Sequence, residues 1–503
     1  MLGAGAAALT GAAVQPARAD GLASTDRLGD GLVRRGGPAG AGLRRPVPRP
    51  GGGRLSTPDW VALAASLDGS LELPDTALYE QIRQLADPRF DQVRPPAIAR
   101  VAHAADVAEV VRFARAARIA VVTRGGGHSY VGASTSAGGV VLDLRGIQDV
   151  RYDWGSGTAT VGGGARLGDV YDRLGAAGRS IPSGSCGSVG ISGITLGGGI
   201  GMAASAYGLT CDAVVEAEVV TADGSTRAVD AQRERDLFWA LRGGGGGQFG
   251  VVTGWRMRTH RVTTTGTFVL NYPWGEAARV AAGWQARLAT APDETWSTCQ
   301  FASDRNGRLS VRISGVVLEG DPDAEAAEIA RAVGREPALA KLERRAHLDV
   351  LHDRAGEARR GTELAGSEIF RWALPEPAIA ELLATVERRA RARKPGVAKF
   401  KRLTGAAGRV PTDATAFPWR GAHTMLQWLV LPGSTDPAAV QDGYAWIESG
   451  HRVMSRWSAG RYVNYLEPSP AVLPRYYGSS FSRLRWIRAT VDPQSLFRSP
   501  YAL

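Results

Sequence analysis

A chain of 503 residues, 44% of them hydrophobic, is long enough for two or three domains and can bury a sizeable core. Its 65 glycines follow no Gly-X-Y period, which excludes a collagen-like fibre, and its three cysteines, Cys186, Cys211 and Cys299, cannot build a disulfide framework. The formal charge of +11 is spread thinly, and no run of about 18 apolar residues occurs, so neither nucleic-acid binding nor a membrane span is expected.

The chain opens on an apolar stretch, Met1 to Val14, followed by Pro16-Ala17-Arg18-Ala19-Asp20. A short apolar core ending in Ala-x-Ala reads as the remnant of an export signal over 1–19 that lacks its basic start. The expectation is a secreted protein using a route for folded cargo, such as the twin-arginine route. A disordered Ala/Gly tail on a cytoplasmic protein is the alternative. Residues 20–56, rich in Gly, Pro and Arg, read as a disordered linker.

A helical pattern begins near Pro58 and runs through Leu85. After Pro95-Pro96 the pattern alternates as α/β: a strand over 98–101, an amphipathic helix over 105–117, strands over 119–123, 139–144 and 158–161, a helix over 168–177, a strand over 213–221, and another from Gly250. The strand over 119–123 runs directly into Arg124-Gly125-Gly126-Gly127-His128-Ser129-Tyr130. A second glycine-rich loop, Gly184-Ser185-Cys186-Gly187-Ser188-Val189-Gly190, follows later. Glycines without Cβ let amide N–H groups approach an anion such as a pyrophosphate, so each loop offers one reactive side chain beside a ligand. The run Gly197-Gly198-Gly199-Ile200-Gly201 lacks Gly-x-Gly-x-x-Gly phasing, which argues against a Rossmann dinucleotide site. A basic run over 388–394, with Lys399, Lys401 and Arg402 beyond it, follows a helical stretch and precedes Pro395-Gly396; it reads as a solvated helix C-terminus.

Together, the order of motifs resembles the FAD-linked oxidases of the berberine-bridge-enzyme type. The resemblance rests on Arg124-x-Gly126-Gly127-His128-Ser129, Cys186-x-x-Val189-Gly190-x-x-Gly193, Thr195-Leu196-Gly197-Gly198-Gly199-Ile200-Gly201 and Tyr207-Gly208-Leu209-Thr210-Cys211-Asp212. It continues in the segments 236–247 and 249–253, and in Tyr477-Gly478, Asp492-Pro493 and Phe497-Arg498 near the end. It implies an α+β fold class: a PCMH-type FAD-binding domain of two α/β subdomains over 57–262, then a central substrate domain over 263–461 with an antiparallel sheet backed by helices. A C-terminal segment over 462–503 would return to the FAD domain.

The same resemblance implies FAD held by two covalent bonds, from a His128 ring nitrogen to the flavin 8α-methyl carbon and from the Cys186 sulfur to C6. Further FAD contacts are implied for Arg124, Gly125, Gly126, Gly127, Ser129, Gly187, Val189, Gly190, Gly193, Gly199, Gly201, Tyr207, Gly208, Val251, Val252 and Asn464. Val189 stands where valine accompanies O₂ as acceptor, which implies H₂O₂ as product. Cys211 lies in a family-like segment with no covalent role carried over and is expected to be buried, and Cys299 has no motif around it.

Tyr462-Val463-Asn464-Tyr465 matches the family's Tyr-x-Asn-Tyr, whose last tyrosine takes a proton. A free tyrosine has a pKa of about 10, so Tyr465 needs a neighbouring cation or hydroxyl, which the sequence does not name. If the strand after Phe417-Pro418-Trp419-Arg420 alternates, His423, Met425 and Gln427 share a face, His423 as a second catalytic candidate and Met425 and Gln427 as substrate lining. The expected reaction is alcohol oxidation of an oligosaccharide or secondary metabolite by hydride transfer to flavin, with C–N or C–C oxidation less favoured. An oxygen-insensitive flavin dehydrogenase and a flavin-binding protein without turnover are the alternatives. The expected partners are a small-molecule substrate and O₂, acting on a monomer without a metal.

Overall fold

The described residues form three large sheets and a two-stranded one, Arg179–Ser180 paired with His260–Arg261. The structure is a computed structural model that describes residues 57–355, 360–469, 472–499 and 501–503. The expected export remnant and linker lie outside the described residues.

The first sheet runs in the order Ser70–Glu72, Ile98–Arg100, Gly139–Asp143, Ala120–Arg124, its last three strands parallel. Gly139–Asp143 is buried at every position, as a continuous apolar run in a parallel sheet should be. The helix Ala104–Ala117 lays Val107, Val110, Val111 and Phe113 into the same core and ends at Arg118 in the left-handed conformation. The helical reading through Leu85 is corrected here. A helix covers Thr57–Ser66, but a strand, Ser70–Glu72, interrupts it before the short helix Tyr79–Ile82. Pro74 disfavours the helical conformation at Leu73, and Gly69 passes so close to the neighbouring strand that a Cβ would lie 1.9 Å from the Arg100 carbonyl oxygen.

The second sheet is antiparallel, in the order Val150–Asp153, Thr158–Gly162, Val251–Arg258, Val214–Val220, Thr226–Asp230. The C-terminal segment completes both cores. Tyr476, Tyr477, Leu484 and Ile487 pack into the core of the second sheet, while Leu496 and Phe497 join that of the first, where Val121 N–H donates to the Leu496 carbonyl at 2.9 Å.

The third sheet has seven antiparallel strands, in the order Leu339–Ala346, Thr264–Tyr272, Leu309–Leu318, Thr295–Ser303, Gly396–Arg402, Thr424–Val430, Leu364–Phe370. The helices Ala277–Leu288, Pro322–Val333, Glu376–Arg391 and Pro437–Met454 cover one face, burying Ala398, Phe400, Leu426 and Trp428. Because side chains alternate, Lys399, Lys401, Met425 and Gln427 share the opposite face. The basic run sits at the end of Glu376–Arg391, yet it is not wholly solvated: Arg389 is buried, pairs with Asp442 at 2.6 Å and lies over the Trp446 ring. Among the described residues no helix is long and apolar enough to cross a membrane.

Candidate active site

The two glycine-rich loops cross backbone to backbone. A Cβ on Gly126 would lie 2.3 Å from the Gly190 nitrogen and 2.8 Å from the Ser188 carbonyl oxygen, so a side chain at 126 would push the loops apart. The first loop leaves the C-terminal end of the strand Ala120–Arg124, and the second leads into the helix Ile191–Leu196. This crossing brings His128 and Cys186 to one cavity of about 540 Å³, a size usual for cofactor and ligand sites of about 300–1,000 Å³.

Burial and the nearby Arg166 cation hold the His128 pKa below its ordinary value, partly opposed by a hydrogen bond to the Ser188 backbone. The imidazole is therefore neutral near pH 7, with a nitrogen lone pair available. Cys186 is half-buried, its Sγ 3.4 Å from Ser188 Oγ. Cys211 and Cys299 are fully buried, and burial pushes both thiols up.

Most of the expected contacts line this cavity: Gly125, Gly126, Gly127, His128, Ser129, Cys186, Val189, Gly190, Gly193, Val251, Val252, Asn464 and Tyr465. Others do not, for identifiable reasons. Arg124 ends its strand pointing inward, where Nε donates to the Ser134 carbonyl and an Nη to that of Ile82, leaving it 1% exposed. The Gly187 carbonyl accepts from Gly168 N–H. Gly199 and Gly201 make room for their own loop's packing, where a Cβ would meet Thr210 Oγ1 at 2.1 Å and the Ser183 carbonyl oxygen at 1.7 Å. Tyr207 faces outward, 41% exposed, and stacks on the His260 ring at 3.8 Å, while Gly208 with φ +86° ends its short helix.

The strand residues also stand away from this cavity. His423 precedes the strand Thr424–Val430 and is tied by its backbone to Phe370 and Leu403; burial and Arg402 lower its pKa. Met425 is buried among Ile369, Leu403, Trp419 and Tyr462, and Gln427 lies opposite Lys399 in register. Neither they nor His423 line the cavity. That face of the sheet is broader than the site.

From the same strand face the cavity takes Lys401, a residue the sequence reading left in the basic run. Its Nζ donates to Tyr465 Oη at 2.6 Å and stands 5.1 Å from the centre of the Tyr465 ring. The Tyr465 ring packs edge-on against Tyr130 at 5.6 Å and Tyr462 at 5.2 Å, and Tyr462 Oη accepts from the backbone N–H groups of Gly199 and Ile200 and from Asn464 Nδ2. Glu363 and Tyr130 also line the cavity, as do Gly245, Gly246 and Gly247. The signal for Lys401 was the alternation of charged and apolar residues in Val397-Ala398-Lys399-Phe400-Lys401, which marks a strand rather than a helix end.

The residues present fit FAD. Glycine backbone from both crossing loops and from 245–247 leaves room and N–H donors for an extended anionic cofactor, and the tyrosine-lined end leaves a place for an aromatic ring system beside Tyr465. Residues 95–230 match the model of an FAD binding domain, and residues 461–502 match that of berberine and berberine-like proteins. An FAD-linked oxidoreductase of Bacillus subtilis, YgaK, is 30% identical over 84% of this chain and 96% of the relative. The xylooligosaccharide oxidase of Thermothelomyces thermophilus is 29% identical over 81% of this chain and 87% of its own length. Among solved structures, a chitooligosaccharide oxidase superposes with a TM-score of 0.79 at 22% identity, covering 88% of this chain and 98% of its own. The berberine-bridge-enzyme-like protein 28 of Arabidopsis thaliana superposes at 0.77 with 24% identity, covering 86% and 97%. The α+β, PCMH-type architecture is that of these neighbours. The chain belongs to the FAD-linked oxidoreductases of the berberine-bridge-enzyme-like family.

Proposed function

We propose that this protein is an oxidase of hydroxyl-bearing substrates, oligosaccharides first, with FAD bonded to His128 and Cys186 and O₂ reduced to H₂O₂. The observation that carries the proposal is the contact between Lys401 and Tyr465 on the wall of the cavity that holds both anchoring side chains. The oligosaccharide class is drawn from the xylooligosaccharide and chitooligosaccharide oxidases this chain is similar to.

When bound, FAD supplies the acceptor for the hydride leaving the substrate carbon and passes the electrons on to O₂. The protein's share is the proton. Desolvation raises the Tyr465 pKa, and the Glu363 carboxylate raises it further, while desolvation alone pushes Lys401 down to about 8. Two coupled groups at 2.6 Å titrate as a pair, so the form lacking one proton is shared between phenolate beside ammonium and phenol beside amine. A substrate hydroxyl that donates to Tyr465 Oη can give its proton to this form as the C–H bond breaks. The alcohol becomes a carbonyl.

The expected pH dependence follows. Turnover rises as pH increases through about 8, the region in which Lys401 titrates and the pair loses its first proton. In Lys401→Met the phenol keeps its raised pKa without a cation, so the rising limb moves to higher pH by at least about one unit, equivalent to about 1.4 kcal/mol. A pH–kcat profile of the variant that overlays the native one removes Lys401 from the mechanism.

The decisive test of the reaction is to mix the FAD-loaded protein with a broad panel of oligosaccharides and alcohols without air, following the visible flavin absorbance, and then admit air. Bleaching followed by recovery with H₂O₂ release is expected. Bleaching that air does not reverse assigns a dehydrogenase instead, and no bleaching across a broad panel supports a flavin-binding protein without turnover.

A further inference from the structure

The segment that presents Tyr465 is held by a buried ring of charged groups that the proton transfer itself does not use. The arm from Ala459 to Glu467 docks on the edge strand Leu364–Phe370: Ile369 N–H donates to the Gly460 carbonyl at 2.9 Å, and Tyr462 N–H donates to Ser367 Oγ at 2.9 Å. Its two ends are tied together, Arg461 pairing with Glu467 at 3.0 Å. His451, on the helix Pro437–Met454, stands between that arm and the strand. Its Nδ1 lies 2.6 Å from Glu368 Oε1 and its Nε2 lies 2.7 Å from Glu467 Oε2.

These distances restrict the protonation state. A neutral imidazole has one N–H, so either contact would then set a lone pair against a carboxylate oxygen. Each carboxylate also has an arginine of its own, Glu368 with Arg475 at 3.1 Å and Glu467 with Arg461 at 3.0 Å. His451 is 3% exposed and Glu368 fully buried, so no solvent relieves a mismatch. Gly366 leaves room for the pair, since a Cβ there would lie 2.9 Å from His451 Nε2. Tyr476 adds the last link: its hydroxyl lies 3.3 Å from Glu467 Oε1, accepts from Glu467 N–H at 3.1 Å and reaches the Tyr465 carbonyl at 3.4 Å. Tyr444, on the same helix as His451, feels the Glu467 charge and is bonded to Arg89 at 3.0 Å.

We propose that His451 is a doubly donating imidazolium that clasps the Arg461–Glu467 arm to the Leu364–Phe370 strand and so fixes Tyr465 against Lys401. It is a positioning residue, and the proposal rests on the reading of Tyr465 as the proton acceptor. Burial by itself would lower the His451 pKa, but the two carboxylates outweigh it and raise it above its ordinary value. The clasp is therefore held below that raised pKa and is lost as pH rises through it. Above it one contact turns repulsive, and the arm that carries Tyr465 loosens.

The test uses the FAD-loaded enzyme labelled with ¹⁵N-histidine. The imidazole signal missing from His451→Gln is expected to show both nitrogens protonated at neutral pH. In Glu467→Gln, which keeps the shape but removes one carboxylate, its midpoint should move to lower pH. For His451→Gln, kcat on the best substrate of the panel should fall roughly ten- to a hundredfold, the scale of a small misplacement of a reacting group, with KM and FAD content unchanged. The alkaline fall of kcat, which follows the His451 midpoint in the native enzyme and shifts with it in Glu467→Gln, should be absent. A neutral imidazole at pH 7, or a kcat–pH profile in Glu467→Gln identical to the native one, overturns the proposal; if His451→Gln does not fold, Glu467→Gln carries both measurements. Tyr465→Phe separates the two readings. Activity retained there overturns Tyr465 as acceptor, whereas activity lost there but native in His451→Gln overturns the clasp alone.

Discussion

Replacing Tyr465 by phenylalanine is expected to lower kcat by about 10²–10⁴-fold, the range that one positioned proton acceptor contributes, while leaving FAD content unchanged. The ring would stay. Its edge-on contacts with Tyr130 and Tyr462 involve the aromatic edges and faces, not the hydroxyl, and the backbone N–H of residue 465 still donates to the Tyr462 carbonyl. What is lost is the oxygen that Lys401 Nζ addresses. Lys401 then lacks its acceptor inside a desolvated wall, which lowers its pKa further and costs about 1–3 kcal/mol of local stability. Because the hydroxyl acts on the proton as the C–H bond breaks, the loss should fall on kcat far more than on KM. Steady-state kinetics on the best substrate, beside a flavin-to-protein absorbance ratio, makes the measurement. A variant within a few-fold of native activity rules Tyr465 out as the acceptor.

How far the site could be read in advance depended on whether a residue's role is fixed locally. His128 and Cys186 sit in loops whose backbones cross, and the glycines that crossing needs are written in the sequence as Gly126 and Gly190. The strands around them were legible for the same reason: Val140, Val141 and Leu142 form an apolar run that only a buried strand uses well. The alternation around Lys401 marks its strand, but its pairing with Tyr465 was not legible, because nothing near residue 401 points to residue 465. The partnership is made by the docking of the arm beside a strand whose register sets which side chains share its face.

The residues that do not line the cavity have physical reasons for their placement as well. Arg124 stands beside the first glycine-rich loop in sequence, yet the pleat of its strand turns the guanidinium into the interior, where the Ser134 and Ile82 carbonyls accept its hydrogen bonds. Its burial is deep enough to lower its pKa to about 10. Strand alternation correctly grouped Met425 with Gln427, but a shared face is wider than a cavity, and Met425 is spent on packing against Trp419. Tyr207 sits near a glycine turn, as a ligand-stacking aromatic would, and instead stacks on His260 at the surface.

The double variant His128→Ala with Cys186→Ala is expected to release all flavin into the supernatant on acid precipitation, while each single variant keeps the colour in the pellet. The expectation follows from the two proposed anchors, His128 and Cys186, which stand on separate loops and line one cavity. His128 is neutral at pH 7 because burial and Arg166 disfavour its cation, so it offers a lone pair without first losing a proton to solvent. Cys186 is half-buried and lines the cavity, whereas Cys211 and Cys299 are shut inside the core, where burial keeps them as thiols; neither can substitute for it. Removing both side chains leaves the glycine cradle, since the crossing of Gly126 and Gly190 involves neither residue. FAD should then bind reversibly, and the thermal midpoint should become dependent on added FAD, with about 2.7 kcal/mol regained at a hundredfold excess over Kd. The native midpoint should not respond. Flavin that leaves the native protein on precipitation removes the covalent reading outright, and flavin that stays with the double variant shows that a third group anchors it.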